Sequence, residues 1–373
     1  MRLSSLKVAH LTTVHKRTDT RVFVKECSSL ARFLKHVVLI VADGKGSEKV
    51  NNVEIKDIGK PSSLAYRFFV SGFKVFRAAL KEKADIYHFH DPELMFVGWG
   101  LRLCGKKVIY DVHEDVPSQV LRKPWLPKVF AYPISYIVRL CENISSKILS
   151  GIVTVTPHIA GRFDSRKTIE VRNYPCLEEF YTPIDLAIEQ GKPLNLVYVG
   201  GITKDRGIFQ MLDALINVKG NVKLHLVGPC FPTSLLSEIE GHEAWPKVEY
   251  YGWQNRDQVV EILKNSHLGL VLLQPTGDYE LAFPVKMFEY MASGLPILSS
   301  NFELYDEIVQ HTQSGRTVEP TEPAKISDVI NEMLNDHHVL REYGVFGRQS
   351  VETQFNWQSQ ISGLLEFYQK ILK

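Results

Sequence analysis

The sequence predicts an α/β protein of two doubly wound domains in series, with its ligand site in the cleft that they form. Three observations carry this expectation. At 373 residues the chain exceeds one average domain and suits two. Short apolar runs alternate with helical patterns throughout, and the alternation pauses once, over residues 173–193, before starting again.

In the first half, strands are expected at Val8–Thr13, Val37–Ala42, Ile86–Phe89, Val108–Val112, Ile152–Thr156 and Ile169–Arg172. Helical stretches such as Val22–Phe33, Leu64–Lys83 and Val129–Ile148 lie between them. Each strand is a near-continuous apolar run, as a parallel sheet covered by helices on both faces requires. The βαβα order then gives a doubly wound domain over residues 1–172. Residues 173–193 contain Pro175, Pro183 and Pro193 with few periodic apolar positions, and read as a linker. Leu194–Val199, Lys223–Val227, Val248–Tyr251, Leu268–Leu273 and Pro296–Ser299 are the strands of a second domain, residues 194–354. The last segment, residues 355–373, holds a strongly amphipathic helix, Trp357–Leu372. Two such domains place ligands at the carboxyl ends of their strands.

Composition narrows the class. With 45% hydrophobic and 23% charged residues, the chain has material for buried cores. Its five cysteines (Cys27, Cys104, Cys141, Cys176, Cys230) are scattered and free of any CxxC pair, which argues for a reducing compartment. Residues 1–16 lack the apolar core of a signal peptide, and no stretch approaches the roughly 18 apolar residues that span a bilayer. A cytoplasmic location is expected. The net charge of +2 conceals a split: residues 1–172 carry 29 Lys+Arg against 16 Asp+Glu, and the rest 15 against 26. A basic half suits nucleic acid, a membrane surface or an anionic substrate. No recognition helix, zinc finger or aromatic RNA-binding signature supports nucleic acid. Basic residues instead interleave with large apolar ones in residues 66–77 and 121–128, which favours an anionic bilayer surface. Amphipathic helices packing on a sheet would produce the same pattern.

The expected chemistry gathers at strand ends. Leu194–Val199 runs into Gly200-Gly201 and then Lys204-Asp205-Arg206-Gly207, a turn that lets a ligand reach the backbone and offers two cations to a diphosphate. The segment Phe283-Pro284-Val285-Lys286-Met287-Phe288-Glu289 opens a short helix, with Pro284 in its first turn and Gly294 at its C-terminal cap. Lys286 and Glu289 share a face there, where Glu289 could accept hydrogen bonds from ribose hydroxyls and the free amides could hold a pyrophosphate. An ordinary capped helix with a surface Lys–Glu pair is the plain alternative. In the first half, Tyr110-Asp111-Val112-His113-Glu114 and His88-Phe89-His90-Asp91-Pro92 each close a buried strand. His113 can donate to a sugar hydroxyl or relay a proton. The His88/His90 pair, two apart on a strand that runs into Asp91-Pro92, lacks a convincing further metal ligand, and no metal is expected. The turn holding His15, Asp19 and Arg21 is polar and basic and should also face the cleft.

At these residues the sequence resembles the family 4 glycosyltransferases, retaining enzymes of the GT-B fold, and among them the branch that builds bacterial surface polysaccharides. The resemblance covers nearly the whole chain. It is most specific over Pro284–Pro296, with support from Tyr198–Gly201, Arg206-Gly207, His90–Glu93, Tyr110–Glu114 and Phe355–Trp357. It implies two Rossmann-like domains facing each other across a cleft, with the last helix crossing back onto the first. It also implies a nucleotide-sugar donor, with UDP favoured over GDP, a glycan or polyprenyl-diphosphate-linked acceptor, and no cofactor. By position, Glu289 matches the second glutamate of the family's Glu-x7-Glu motif, which binds ribose. Arg206 matches the diphosphate contact, and His113 the histidine beside the transferred sugar. His15, Asp19, Arg21, His90, Asp91 and Glu114 then lie on the acceptor side, and Gly200, Gly201, Lys204, Phe283, Pro284, Val285 and Lys286 on the donor side.

Two positions depart from the family pattern. Leu281 stands where the first glutamate of the motif belongs, with Glu280 one residue off register as a substitute through a shifted loop. Gly201 replaces a basic residue, so diphosphate charge falls to Arg206, Lys204 and Lys286. With no Asp-x-Asp motif, transfer without a metal is expected. Two other classes share the architecture or the site: a UDP-sugar epimerase and a non-catalytic nucleotide-sugar-binding scaffold. A dehydrogenase is disfavoured because Thr12-Thr13-Val14-His15 follows the first strand in place of a Gly-x-Gly-x-x-Gly turn.

Overall fold

A computed structural model of the chain describes residues 5–123, 126–180, 191–276 and 279–373. These fold as two α/β units, one formed by Met1–Asn173 with Trp357–Lys373 and the other by Tyr174–Asn356.

The first unit holds strands β1 (Lys7–Leu11), β2 (His36–Val41), β3 (Glu48–Val50), β4 (Val53–Asp57), β5 (Ile86–Phe89), β6 (Lys107–Val112), β7 (Gly151–Thr154) and β8 (Thr168–Glu170). Their order in the sheet is β3-β4-β2-β1-β5-β6-β7-β8. All neighbours are parallel except the β3–β4 hairpin. That hairpin turns on Asn51-Asn52, both at positive φ (50° and 63°), the geometry of a two-residue turn whose twist matches paired strands. Apolar pattern alone missed it, because β3 is polar and exposed. The chain leaves β1 first for β2 on one side and later for β5 on the other. The crevice of the sheet therefore opens where the ends of β1 and β5 diverge, and the turns after β1, β5 and β6 meet there.

The second unit repeats the plan with β9 (Leu194–Val199), β10 (Val222–Val227), β11 (Val248–Gly252), β12 (Leu268–Val271), β13 (Ile297–Ser300) and β14 (Gly315–Val318). The order is β11-β10-β9-β12-β13-β14, all parallel, so here the crevice falls at the ends of β9 and β12. Tyr174 and Phe180 are buried in this unit's core, and Tyr174 stacks edge-on against Phe288 and Phe355. Residues 174–180 of the expected linker thus belong to the second unit, while residues 181–190 lie outside the described residues.

The closing helix, Trp357–Leu372, packs in the first unit. Trp357 Nε1 donates to the Lys25 carbonyl (3.1 Å) and Ser29 Oγ (2.9 Å), and Tyr368 reaches His88. Gly151 at the start of β7 leaves the space that Phe367 and Ile371 fill; a Cβ there would stand 2.6 Å and 2.7 Å from them. Gly151→Ala is expected to destabilise the first unit by about 1–3 kcal/mol through overpacking, read as a lower denaturation midpoint at unchanged m-value.

Candidate active site

In the second unit, β9 ends at Val199, and the chain turns through Gly200 at φ 130° into Gly201. Gly200 requires glycine twice over, because the Lys286 ammonium lies 3.2 Å from where its Cβ would be. Tyr290 fixes the helix Val285–Ala292 under this turn: its hydroxyl accepts from the Val199 N–H at 2.8 Å, and its ring covers Gly269 of β12. Lys286, at the second position of that helix, then points into the turn. Its Nζ is buried, sits 3.7 Å from the Tyr198 ring centroid, and has no hydrogen-bond partner among the described residues. Burial, with repulsion from Arg206, holds this ammonium well below the ordinary lysine range, and Glu289 offsets part of the effect. Arg206 joins it from the turn Lys204–Arg206, donating to the Gly201 carbonyl (3.1 Å) and meeting the Tyr279 hydroxyl (3.4 Å).

Two cations therefore converge on a glycine turn at a strand's carboxyl end, and one of them is desolvated, with an aromatic face but no hydrogen-bond partner among the described residues. An anion is the ligand that such an arrangement stabilises. The plain alternative for Lys286, a surface pair with Glu289, is overturned: the Lys286 nitrogen is interior, and Glu289 pairs with Arg256 at 2.8 Å. Arg256 also binds Glu179 (2.5 Å) and lies over the Phe180 ring (4.8 Å), so Glu289 is held in place by a residue that the sequence did not single out. Pro284 occupies the N-cap position rather than the first helical turn, and Gly294 follows the helix at φ 73°, as a C-terminal cap requires. Phe283 packs on Phe288, and Val285 opens the helix. Lys204 is a correction. It is exposed and pairs with Glu238 at 2.7 Å instead of joining Arg206 and Lys286. Glu280 and Leu281 are both exposed on the short turn Tyr279–Leu281, and residues 277–278 just before it lie outside the described residues.

In the first unit, the turns after β1, β5 and β6 come together as expected. Asp91 accepts hydrogen bonds from the Thr12 hydroxyl (3.0 Å), the Thr13 N–H and hydroxyl, and the Val14 N–H (3.1 Å). It thereby shapes the turn that carries His15, whose Nε2 is 3.5 Å away. His15 Nδ1 meets Asp19 at 3.3 Å, which raises the imidazole's pKa. Burial would raise Asp19, but bonds from His15 and from the Val22 and Arg21 amides bring it down to about 2.

His113 is half-buried beyond β6. Its Nε2 lies 3.0 Å from Asp111 and 3.2 Å from His90 Nδ1, and its Nδ1 has no partner among the described residues. With Asp111 as acceptor, Nε2 carries the proton and Nδ1 is left as a basic lone pair, the arrangement by which a carboxylate orients a histidine for acid–base work. His90 itself is buried between His113 and His10, and burial lowers it to about 4. Glu114 is exposed. Asp115 caps the helix Val116–Arg122 and pairs with Arg162 at 2.6 Å.

Arg21 is the second correction. It does not face a ligand. It is buried against Asp111 (3.0 Å), Glu26 (3.2 Å) and the Val171 carbonyl (3.0 Å). The reason is local: Thr20–Cys27 forms a π-helix, in which residues five apart fall on one face, so Arg21 and Glu26 both point inward. A helical pattern of period 3.6 conceals this. Burial and the neighbouring Asp111 push Glu26 well above the carboxylate range, while Arg21 overcomes burial to hold Asp111 well below it. Donor atoms of Glu26, His88, His90 and Asp111 lie within 4.8 Å of one another and could hold a divalent cation, with Arg21 competing for both carboxylates. Sequence spacing could not show this, since Glu26 and Asp111 are remote from the His88/His90 pair.

Residues 20–171 match the model of Glycosyltransferase Family 4, and residues 186–349 that of Glycosyl transferases group 1. Among curated proteins, the chain is 26% identical over 312 residues to an N-acetyl-alpha-D-glucosaminyl L-malate synthase of Bacillus anthracis, covering 80% of this chain and 78% of that one. Among solved structures, it is similar to a sucrose-phosphate synthase from Thermosynechococcus elongatus (TM-score 0.77, 17% identity, 98% of this chain and 99% of that chain). It is also similar to HepE of Anabaena, solved with UDP and glucose (TM-score 0.74, 13% identity, 98% and 100%).

Proposed function

We propose that this chain, a GT-B glycosyltransferase of the group 1 family, moves a sugar from a UDP-sugar held by its second unit to a glycan or lipid-linked acceptor held by its first, with retention at the anomeric carbon and without a metal. The observation that carries the reading is the buried, unpaired Lys286 ammonium beside Arg206 at the Gly200-Gly201 turn. In the reaction the bond from the anomeric carbon to the diphosphate oxygen breaks, and the acceptor oxygen bonds to that carbon. Negative charge grows on the departing diphosphate, and Lys286, Arg206 and the first amides of the helix Val285–Ala292 stabilise it where water would otherwise have to reorganise. Glu289, braced by Arg256, accepts the ribose hydroxyls. As the new bond forms, the acceptor O–H breaks and its proton passes to His113 Nδ1, the lone pair left free when Asp111 takes the Nε2 side.

UDP complexes of the Anabaena protein support UDP over GDP, and the name of the Bacillus anthracis relative supports an N-acetylhexosaminyl or hexosyl group. A role in surface polysaccharide synthesis, at the inner face of the cell membrane, fits the basic first half. No helix among the described residues is long and apolar enough to cross a membrane. A non-catalytic scaffold is the second reading, favoured by Leu281 at the position of the first motif glutamate, with its side chain exposed. A UDP-sugar epimerase would release a new sugar with its nucleotide intact.

Thermal shift with a panel of UDP- and GDP-sugars in EDTA tests the donor site. Stabilisation by about 3–4 kcal/mol is expected when one nucleotide series is present at several hundred times its Kd, and Glu289→Ala should remove most of it. Free nucleotide released on turnover separates transfer from both alternatives. Silence toward every nucleotide would end this reading.

A further inference from the structure

The first unit carries a cavity that the transfer chemistry does not use. Helical segments Arg67–Ser71 and Gly72–Glu82, the helix Met95–Leu103 and the helix Lys128–Ile148 enclose a groove of about 760 Å³ lined by Phe69, Phe73, Phe76, Phe96 and Ile137. Three of these aromatics stand out from the core: Phe69, Phe73 and Phe96 are 75%, 60% and 51% exposed. A soluble surface rarely gathers large apolar side chains in this way without a ligand or partner.

Two further observations say what kind. The segments that wall the groove are basic, since residues 64–83 and residues 121–148 each hold five basic residues to one acidic. The groove also ends at the acceptor turn. Pro92 and Glu93 form its inner end, and the Glu93 carboxylate accepts from the Thr13 hydroxyl at 2.9 Å and pairs with Arg67 at 2.7 Å. Thr13 is bonded to Asp91, beside His15, whose ring stands 5.3 Å from that of His113. A short series of contacts thus leads from an apolar trough walled by basic segments to His113.

We infer that this groove binds the hydrocarbon chain of a lipid-linked acceptor, with the chain lying between the three helices and its anionic head delivered to the Thr13–His15–His113 turns. The inference rests on the reading of the first unit as the acceptor side. Each methylene laid in the groove should tighten binding about fourfold, so chain length should set affinity. Residues 66–77 of the basic–aromatic pattern noted in the sequence form one wall. Of the second such segment, Pro124 and Trp125 lie outside the described residues.

The test is photolabelling of the whole protein with a benzophenone-bearing alkyl diphosphate. Labelled peptides should map to residues 67–82, 95–103 or 128–148. Farnesyl diphosphate should compete at least tenfold better than inorganic diphosphate. Phe73→Ser/Phe96→Ser, two exposed positions, should cut labelling at least tenfold. Nucleotide-induced stabilisation should be kept, which separates failure here from failure of the donor site. Equal competition by inorganic diphosphate, or labelling untouched by the double variant, would overturn the inference. So would salt-sensitive binding to phosphatidylglycerol vesicles with no competition by farnesyl diphosphate, which would make the groove a bilayer-facing surface.

Discussion

Lys286→Met is expected to melt a few degrees above the parent protein and to lose its response to nucleotide. Both effects have one cause. The parent buries an ammonium with no hydrogen-bond partner, which costs about 1–3 kcal/mol, and a thioether of similar length fills the same space without that cost. In units of this size each kcal/mol moves Tm by about 2–4 °C. With ligand the balance reverses: the cation that strains the free protein faces the diphosphate, and its loss should lower kcat by roughly 10²–10³-fold, the scale for one preorganised donor. The pH dependence has a definite sign. Folding depresses the Lys286 pKa, so the unfolded chain binds that proton more tightly, and the ligand-free protein gains stability as pH rises toward the ordinary lysine range. A bound diphosphate restores the pKa, so nucleotide affinity should fall as pH rises through the depressed value. Lys286→Met should flatten both slopes. A destabilised Lys286→Met that still responds to nucleotide would remove the main support for the donor site.

The Gly200-Gly201 turn and the helix behind it are legible in the sequence because their signals are local. Gly200-Gly201 ends an apolar run, and Pro284 and Gly294 bracket one short helix. The parallel strands were legible for a related reason, since burial on both faces forces unbroken runs such as Val37–Val41. What the sequence concealed was either short and polar or remote. β14 reads Gly-Arg-Thr-Val, with only its last residue buried, and so carries no apolar run to recognise. The place of Lys286 on its helix is legible, but its burial depends on Tyr198 and Arg206, which two other segments supply. Sequence places Arg21 on the ligand side because a polar, basic turn usually faces water. The π-helix rotates it inward by adding one residue to the turn, and no period-3.6 reading contains that rotation.

That inward rotation sets up the largest stability effect expected in the first unit. Arg21→Met removes the only guanidinium paired with Asp111 and Glu26 among the described residues, and leaves Asp111 charged in a dry interior. Breaking one side of such a buried pair costs about 3–5 kcal/mol, or roughly 10 °C in the melting of this unit. Arg21→Met/Asp111→Asn should recover at least half of the loss, and the double-mutant cycle measures the coupling. Acid separates the two carboxylates. Asp111, depressed in the folded state, contributes stability above the ordinary aspartate pKa of about 3.9 that is lost as pH falls through its own value. Glu26, raised in the folded state, contributes stability below about pH 4.3 that is lost as pH rises through its folded value. The parent should therefore lose more stability than Arg21→Met between pH 5 and 3, because only the parent has an Asp111 contribution to lose. His113 would register the same change, since Asp111 orients it, as a fall in kcat with KM for the donor little altered. If Arg21→Met unfolds no earlier than the parent, the guanidinium is not what balances these carboxylates. A cation shared by Glu26, His88, His90 and Asp111 would then have to do so, and metal analysis of the purified protein would decide it.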